Sequence, residues 1–192
     1  MPRNKEFDYS QKLQKVRDLF WKKGYHTTSL RDIVNTMQLN KSSIYDSFGN
    51  KHTLFIESLK DYSDLKEQQY RKALKNGTSP IIILEKTIRD VVEQAIIDKK
   101  TCLIVKTIFE VAETDKEVQM LLVKITSTLQ SILADLVKSS QEEGAIKMTT
   151  DPKIVARFIF SGFSSLWSHY IISENKKEVN EMVDLLIEMI KK

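Results

Sequence analysis

The sequence predicts an all-α protein of about nine helices, and three observations support this fold class. Gly and Pro are scarce, with 5 and 3 residues among 192, and this composition suits helices better than turn-rich β-sheets. Apolar residues recur at intervals of three and four along most of the chain, as they do on one face of a helix. Capping residues or glycines stand where these periodic segments end. No segment is predicted to be a strand.

Four helices are predicted in the first part of the chain, over residues 9–24, 29–37, 41–47 and 51–75. Gly24 is a favourable stop for the first helix, because glycine readily adopts the backbone conformation that ends helices. Ser29 and Asp32 are spaced like a capping box at the start of the second helix. Asn40 is the expected N-cap of the third. Three helices, two of them short and joined by a tight turn, therefore precede a long fourth one.

The rest of the chain is predicted to form five further helices, over residues 80–98, 101–112, 116–143, 152–173 and 176–190. Asp151 and Pro152 give the eighth helix an N-cap followed by proline at the first helical position. Asn175 is the expected cap of the last helix. The charge balance changes inside the fourth helix. We therefore predict one domain over residues 1–50 and a second over residues 51–192.

Positive charge is concentrated in the first third of the chain. Residues 1–62 hold 11 Lys and Arg against 7 Asp and Glu, whereas residues 63–192 hold 19 of each. The N-terminal part therefore carries the whole net charge of +4. A local basic excess indicates a polyanionic partner such as nucleic acid. Chance is the plain alternative, because the excess is modest for a segment of this length.

Composition argues against several classes of protein. The single cysteine, Cys102, excludes an internal disulfide, and without a signal-peptide pattern it favours a reducing, cytoplasmic setting. No stretch of ~18 apolar residues predicts a membrane span. His26, His52 and His169 show no ligand spacing, so neither a metal site nor a cofactor is expected. His169 has no carboxylate partner that spacing identifies, so no catalytic triad is supported and the protein is not expected to be an enzyme.

The segment LNKSSIYDSF, residues 39–48, has one apolar side and one polar side. Ile44 and Phe48 are four residues apart, so they share a helix face and suit anchors to a scaffold. The other side chains are small, polar or basic, which suits a surface that meets base edges and phosphates. Two short helices joined by a tight turn and backed by a third form the helix-turn-helix pattern. This pattern predicts a recognition helix that enters the DNA major groove.

Five motifs follow one another between residues 19 and 55: Gly24-Tyr25, a Thr-rich cap at 27–29, Ile33-Val34, NKSSIYDSF at 40–48, and Lys-x-x-Leu at 51–54. In this order they resemble the TetR-type bacterial transcriptional regulators. The resemblance implies an N-terminal three-helix helix-turn-helix domain and a C-terminal helical ligand-binding and dimerisation domain. The chain departs from the family pattern at Gln38, where glycine is usual in the turn. It also departs at Asp46 and Ser47, where aromatic residues or histidine are common.

The resemblance implies DNA contacts from ten residues: Thr28, Ser29, Arg31, Lys41, Ser42, Ser43, Tyr45, Asp46, Ser47 and Lys51. Tyr45 and Lys51 look like phosphate clamps, and the first amides of the helix that Lys51 opens also favour an anion. Thr28 or Ser29 is the expected phosphate donor at the start of the second helix. The alternatives are a half-buried core aromatic for Tyr45 and an ordinary solvated helix start for Lys51.

Base or near-base contacts are expected from Arg31 and from the residues at 41–43. Small-residue filler is the alternative role of the two serines there. A carboxylate facing phosphates is unfavourable, so Asp46 is expected either to accept from a cytosine amino group or to turn toward a neighbouring lysine.

The resemblance also implies a homodimer that binds a palindromic double-stranded operator, a repressor role, and release by a small effector. The last two long helices, about 152–173 and 176–190, are the expected dimer interface. Aromatic residues that could line an apolar or amphipathic effector cavity are Phe109, Phe163, Trp167 and Tyr170, and simple core packing is the alternative for each. An all-helical enzyme and an adaptor that does not bind DNA are the alternative functions.

Overall fold

The computed structural model of the chain describes residues 7–74, 79–98, 102–147 and 149–191. Nine α-helices and no strand occur within these ranges, which confirms the predicted all-α class. The helices are α1 (Tyr9–Lys23), α2 (Leu30–Met37), α3 (Lys41–Phe48), α4 (Lys51–Leu74), α5 (Pro80–Asp98), α6 (Leu103–Glu110), α7 (Lys116–Glu142), α8 (Pro152–Ser173) and α9 (Lys176–Lys191). Their ends differ from the predicted ones by one or two residues at most.

Side-chain caps explain where the two short helices α2 and α3 begin. Ser29 and Asp32 form the predicted capping box, in which each side chain accepts a hydrogen bond from the other residue's backbone N–H. Asn40 Oδ1 accepts from the N–H of Ser43 at 2.8 Å. An N-cap contributes about 1 kcal/mol, so these residues define both helix starts locally.

One compact unit of the structure consists of Met1–Lys66 and Cys102–Leu122. Within it α1 packs against α2 and α6. The core side chains from α1 to α4 are buried: Val16, Phe20, Ile33, Met37, Ile44, Phe48, Leu54, Phe55, Leu59 and Tyr62. Because α6 belongs to this unit, the unit is larger than residues 1–50. The division of function at residue 50 stays a prediction.

The second compact unit consists of Glu67–Thr101 and Val123–Lys192, and in it α5, α8 and α9 pack on one another. Three ion pairs join α5 to α9: Glu85–Lys191 at 2.7 Å, Arg89–Asp184 at 2.7 Å and Glu93–Lys176 at 3.2 Å. The residue numbers of the partners fall along α9 as they rise along α5, so the two helices run antiparallel. Exposed ion pairs add little stability, but their alternating signs disfavour other registers of α5 against α9.

The longest described helix, α7, is strongly apolar. Among the described helices it alone is long and apolar enough to cross a membrane, and 44% of its apolar window is buried inside the protein. Its buried positions recur at helical spacing, at Val118, Leu122, Ile125, Leu129 and Leu133. A helix that buries such a stripe is typical of a protein core.

Candidate nucleic-acid interface

The helix α3 is fixed to its scaffold by its two apolar residues. Ile44 and Phe48 are both buried, as the four-residue spacing predicts. The ring of Phe48 stacks on that of Tyr9 from α1, with centroids 4.3 Å apart. Rotation of this helix about its axis would expose both side chains and break the ring contact, so burial and stacking oppose it. Its opposite face is therefore presented in one orientation.

The outward face of α3 is polar and carries one aromatic ring. Lys41, Ser42 and Asp46 are exposed, and Ser43 and Ser47 are partly exposed. Tyr45 is 44% exposed, and the Nζ of Lys41 lies 5.6 Å from its ring centroid. Ser42 Oγ donates to Asp46 Oδ2 at 3.4 Å. The carboxylate of Asp46 therefore accepts from a serine, and no lysine among the described residues pairs with it.

Three predicted DNA-contact residues lie at the start of α2, and two of them are exposed. Arg31 is exposed, and no described residue pairs with its guanidinium. Ser29 is exposed, with its hydroxyl donating to Asp32 within the capping box. Thr28 is fully buried, and its Oγ1 donates to the carbonyl oxygen of Gly24 at 2.6 Å. The Thr28 hydroxyl is therefore not available to a phosphate, which corrects the prediction for this residue.

Lys51 begins α4, and only Gly49 and Asn50 separate it from the end of α3. Its Nζ lies 4.5 Å from the ring centroid of Tyr25, a distance that allows a cation–π interaction. Partial burial lowers the pKa of Lys51, and the carboxylate of Glu110 acts in the opposite direction. Asn50 caps the same helix by accepting from the N–H of Thr53 at 2.9 Å. Tyr25 thus holds the ammonium group of Lys51 beside the first turn of α4.

Two side chains of α6 hold the last turn of α1 and the segment that follows it. Lys106 Nζ donates to two carbonyl oxygens in the last turn of α1, each at 3.2 Å. The N–H of His26 donates to Glu110 Oε1 at 2.7 Å. Gly24, at φ 89°, leaves room for that carboxylate, because a Cβ there would lie 2.6 Å from it. These partners are more than 80 positions apart in the sequence, so no local pattern could have indicated them.

A second link ties the start of α4 to the start of α7. His52 Nε2 lies 2.7 Å from Asp115 Oδ2, and Asp115 Oδ1 accepts from the N–H of Val118 at 3.0 Å. The N–H of Val118, followed by the imidazole of His52, holds the pKa of the Asp115 carboxyl below its usual range. Asp115 therefore serves both as a helix cap and as an ionic partner.

We expect Asp115→Ala to lower the free energy of unfolding of the first unit by about 1–2 kcal/mol near neutral pH. A carboxyl whose pKa is lower in the folded state contributes stability above its unfolded pKa of ~3.9. That contribution is lost as the pH falls through the folded pKa. The difference between wild type and variant should therefore shrink below about pH 4.

Urea denaturation across this pH range measures the effect through the fluorescence of Trp21 in a Trp167→Phe background. Trp21 packs edge-on against Tyr62, with ring centroids 5.2 Å apart, in the same compact unit. Asp115→Asn keeps a capping oxygen and should lose only the pH-dependent part. A deficit of Asp115→Ala that stays constant from neutral to acid pH would contradict the ionic role.

The four residues predicted to line an effector cavity lie on two helices, α6 and α8. Phe109 lies on α6 in the first unit and is 80% exposed, so it is not the wall of a closed cavity and the prediction is corrected for this residue. Phe163, Trp167 and Tyr170 share α8 in the second unit, where Phe163 is buried. The rings of Trp167 and Tyr170 pack on each other, with centroids 5.8 Å apart.

An open groove of about 460 Å³ lies elsewhere in the second unit, lined by Ala134, Asp135, Lys138, Gln141, Glu142, Asp151, Pro152 and Lys153. None of the predicted cavity residues borders it.

His169 Nε2 lies 2.9 Å from Glu178 Oε2, a partner that the sequence did not identify. Ser168 Oγ instead donates to the carbonyl oxygen of Ser165, so these groups do not form a triad. Within the described ranges, no group of three His, Cys, Asp or Glu side chains could hold a metal ion.

Two family models match the chain. The model described as bacterial regulatory proteins, tetR family, matches residues 13–57, and the model for the tetracyclin repressor-like C-terminal domain matches residues 77–185. The chain is also 24% identical over 197 residues to an uncharacterised HTH-type transcriptional regulator, YezE, of Bacillus subtilis (strain 168). That alignment covers 99% of this chain and 100% of YezE.

Solved structures share the fold at low sequence identity. The regulator CifR, a TetR-family cysteine mutant complexed with a 26-base-pair operator, superposes with a TM-score of 0.82 at 22% identity, covering 97% of this chain and 98% of CifR. FadR from Bacillus subtilis, in complex with stearoyl-CoA, superposes with a TM-score of 0.77 at 16% identity, covering 96% of this chain and 98% of FadR. The helix-turn-helix geometry, the nine-helix fold and the two family matches lead to one conclusion: the chain belongs to the TetR family of bacterial DNA-binding transcriptional regulators.

Proposed function

We propose that the chain is a cytoplasmic repressor that binds a palindromic operator as a homodimer and is released by a small apolar or amphipathic effector. The outward face of α3 is the observation that carries this proposal. Ile44 and Phe48 hold the helix by its inner side, so Lys41, Ser42 and Tyr45 face outward. Small hydroxyls beside one cation and one aromatic ring suit contacts to base edges and phosphates.

The charges around α3 support an anionic partner. Arg31, Lys41 and Lys51 make no ion pair with a carboxylate in the described part of the chain, whereas Arg17, Lys23 and Lys60 do. These three cations belong to α2, α3 and the start of α4, at and beside the proposed recognition helix. We assign DNA binding to residues 1–50 together with Lys51, and effector binding and dimerisation to the rest of residues 51–192.

A continuous exposed stripe on α8 supports dimerisation. Its exposed positions are Ile154, Phe158, Ser161, Ser165, Ser168 and Ile172, at alternating intervals of four and three residues. This spacing is the one with which helices pack side by side at a small angle. Leu185 and Met189 add exposed apolar side chains on α9, which packs on α8. A second copy of the chain, related by a two-fold axis, would cover both helices and set two copies of α3 on one operator.

A dimer bound to an operator near a promoter would block transcription from it, which is the repressor role proposed here. The effector part rests on the apolar second unit, in which Phe163, Trp167 and Tyr170 lie along one helix. The rings of Trp167 and Tyr170 pack on each other, so an effector would have to separate them or bind beside them. The FadR neighbour binds stearoyl-CoA, an amphipathic acyl ligand of the class proposed for this chain. A ligand that prefers one arrangement of the second unit would shift the population away from the DNA-binding form.

A salt titration of DNA binding tests the proposal against an enzyme or an adaptor. The probe is a duplex selected by the full chain from a random-sequence library, compared with a scrambled duplex of equal composition. Affinity for both should fall linearly on a log–log plot against salt, with a slope of about −0.9 for each phosphate contacted. Decanoate should release the selected duplex and glucose should not. A chain that selects no sequence, or binds without salt dependence, would refute DNA-specific regulation.

A further inference from the structure

The turn between α2 and α3 has a backbone conformation that needs support. Gln38 adopts the left-handed region, with φ 52° and ψ 44°, which residues with a Cβ seldom take. Such a conformation persists only where the surrounding structure holds it in place. The turn is short, because α2 ends at Met37 and Asn40 already caps α3. The three residues of the turn offer little support of their own.

Lys12 of α1 provides a support from outside the turn. Its Nζ donates to the carbonyl oxygen of Met37 at 2.6 Å. That carbonyl and the amide of Gln38 belong to the same peptide plane, and the N–H of Gln38 donates to the carbonyl oxygen of Val34 at 2.9 Å. The plane is therefore held at both ends. Its orientation sets φ of Gln38, the torsion at which the chain turns from α2 into α3.

The charge of Lys12 suits this role. The last carbonyl oxygens of a helix carry partial negative charge and have no partner inside the helix. Lys12 is partly buried and makes no ion pair with a described carboxylate, and the side chain of Met37 is fully buried. The ammonium group is thus directed at the protein, although its place in the basic first third would suggest a DNA contact.

A small error in the turn becomes a large error at the DNA. An eight-residue helix such as α3 is roughly 12 Å long. A rotation of about 10° at the turn would therefore move its far end by roughly 2 Å. Hydrogen bonds tolerate far less, since donor–acceptor distances fall within about half an ångström of each other. Base contacts would fail before any loss of the fold.

We infer that Lys12 is a positioning residue for the recognition helix: it fixes the Met37–Gln38 peptide plane and through it the angle at which α3 meets base edges. This inference rests on the proposed DNA-binding function. It adds to that function a determinant of specificity that does not touch DNA. Attraction to the phosphate backbone does not depend on sequence and tolerates small shifts better than base contacts do, so loss of Lys12 should affect sequence readout most.

The test compares Lys12→Met with Lys15→Met, using the selected and the scrambled duplex as probes. Methionine keeps the apolar stem of Lys12 and removes the ammonium group. Lys15 is exposed on the same helix, and no described residue pairs with it. We expect Lys12→Met to bind the selected duplex about 10-fold more weakly, with unchanged affinity for the scrambled duplex and an unchanged salt slope. Lys15→Met should preserve the ratio of the two affinities.

A Gln38→Gly background keeps the test valid if Lys12→Met alone folds poorly. Glycine adopts the left-handed conformation without a Cβ clash, so it should restore the melting temperature of the double variant but not its preference for the selected duplex. Recovery of both would show a purely structural role and overturn the inference. Equal weakening on both duplexes with a shallower slope would make Lys12 a phosphate contact, which also overturns it. If the wild type itself prefers no duplex, the proposed function fails and this inference fails with it.

Discussion

Leu185→Glu is expected to convert the proposed dimer into a monomer and to weaken operator binding by at least about 100-fold. Leu185 is 57% exposed on α9, the helix that packs on α8. In a two-fold interface the new carboxylate would meet apolar groups of the partner twice over, and burial of an unpaired charge is strongly unfavourable. A monomer engages one half-site at a time and loses the high effective concentration of the second recognition helix.

Light scattering after size exclusion gives the mass directly, to be compared with 22.3 kDa for one chain. Met120→Glu is the matched control, since Met120 is 73% exposed but lies on α7 in the first unit. It should remain dimeric and bind the operator as the wild type does. A dimeric Leu185→Glu variant with normal helix content would place the interface elsewhere. A monomeric variant that binds the operator with full affinity would show that operator binding does not require a dimer.

The predicted fold agrees with the structure because its signals are local. Asn40 and Ser29 cap helices through residues three positions away, and Ile44 and Phe48 share a face by spacing alone. The periodicity in α7 and α8 continues over six or more turns, so both helices can be predicted from the sequence alone. Interactions between residues close in sequence therefore define the helix boundaries and the buried faces in this chain.

The parts that the sequence could not predict depend on long-range packing. The hydroxyl of Thr28 suits a helix cap or a phosphate donor. The residue that caps α2 is instead Ser29, and Thr28 is buried with its hydroxyl bonded to the carbonyl oxygen of Gly24. Phe109 is an aromatic residue that suits a cavity wall or a core, but α6 is apolar at five of its eight positions, so its sequence does not show which face is exposed. The links from Lys12 to Met37 and from His52 to Asp115 cross 25 and 63 positions. No pattern in the sequence relates residues at such separations.

Lys51→Ala is expected to weaken binding to every DNA sequence by about 60-fold near 0.1 M salt. Each phosphate contact contributes a slope of about 0.9, so at 0.1 M it raises affinity about eightfold over its value at 1 M. A symmetric dimer loses two such contacts, and the two factors multiply. The log–log slope should accordingly fall by about 1.8 for both the selected and the scrambled duplex.

Two variants separate the phosphate contact from the other features of this residue. Lys51 also lies over the ring of Tyr25, so alanine removes a cation–π contact of about 0.5–1 kcal/mol and should lower the melting temperature slightly. Lys51→Arg keeps the charge and should keep the slope. Lys60→Ala is the control on the same helix, because Lys60 is already paired with Glu57 at 2.9 Å, and it should leave the slope unchanged.

The slope, rather than the affinity, decides the role of Lys51. A variant that is merely less stable binds less at every salt concentration, which shifts the line without tilting it. If Lys51→Ala lowers the melting temperature and keeps the wild-type slope, Lys51 only supports Tyr25 and the start of α4. If the slope falls for the selected duplex but not for the scrambled one, the lysine takes part in sequence readout instead. An equal fall on both duplexes is the result that a phosphate clamp requires.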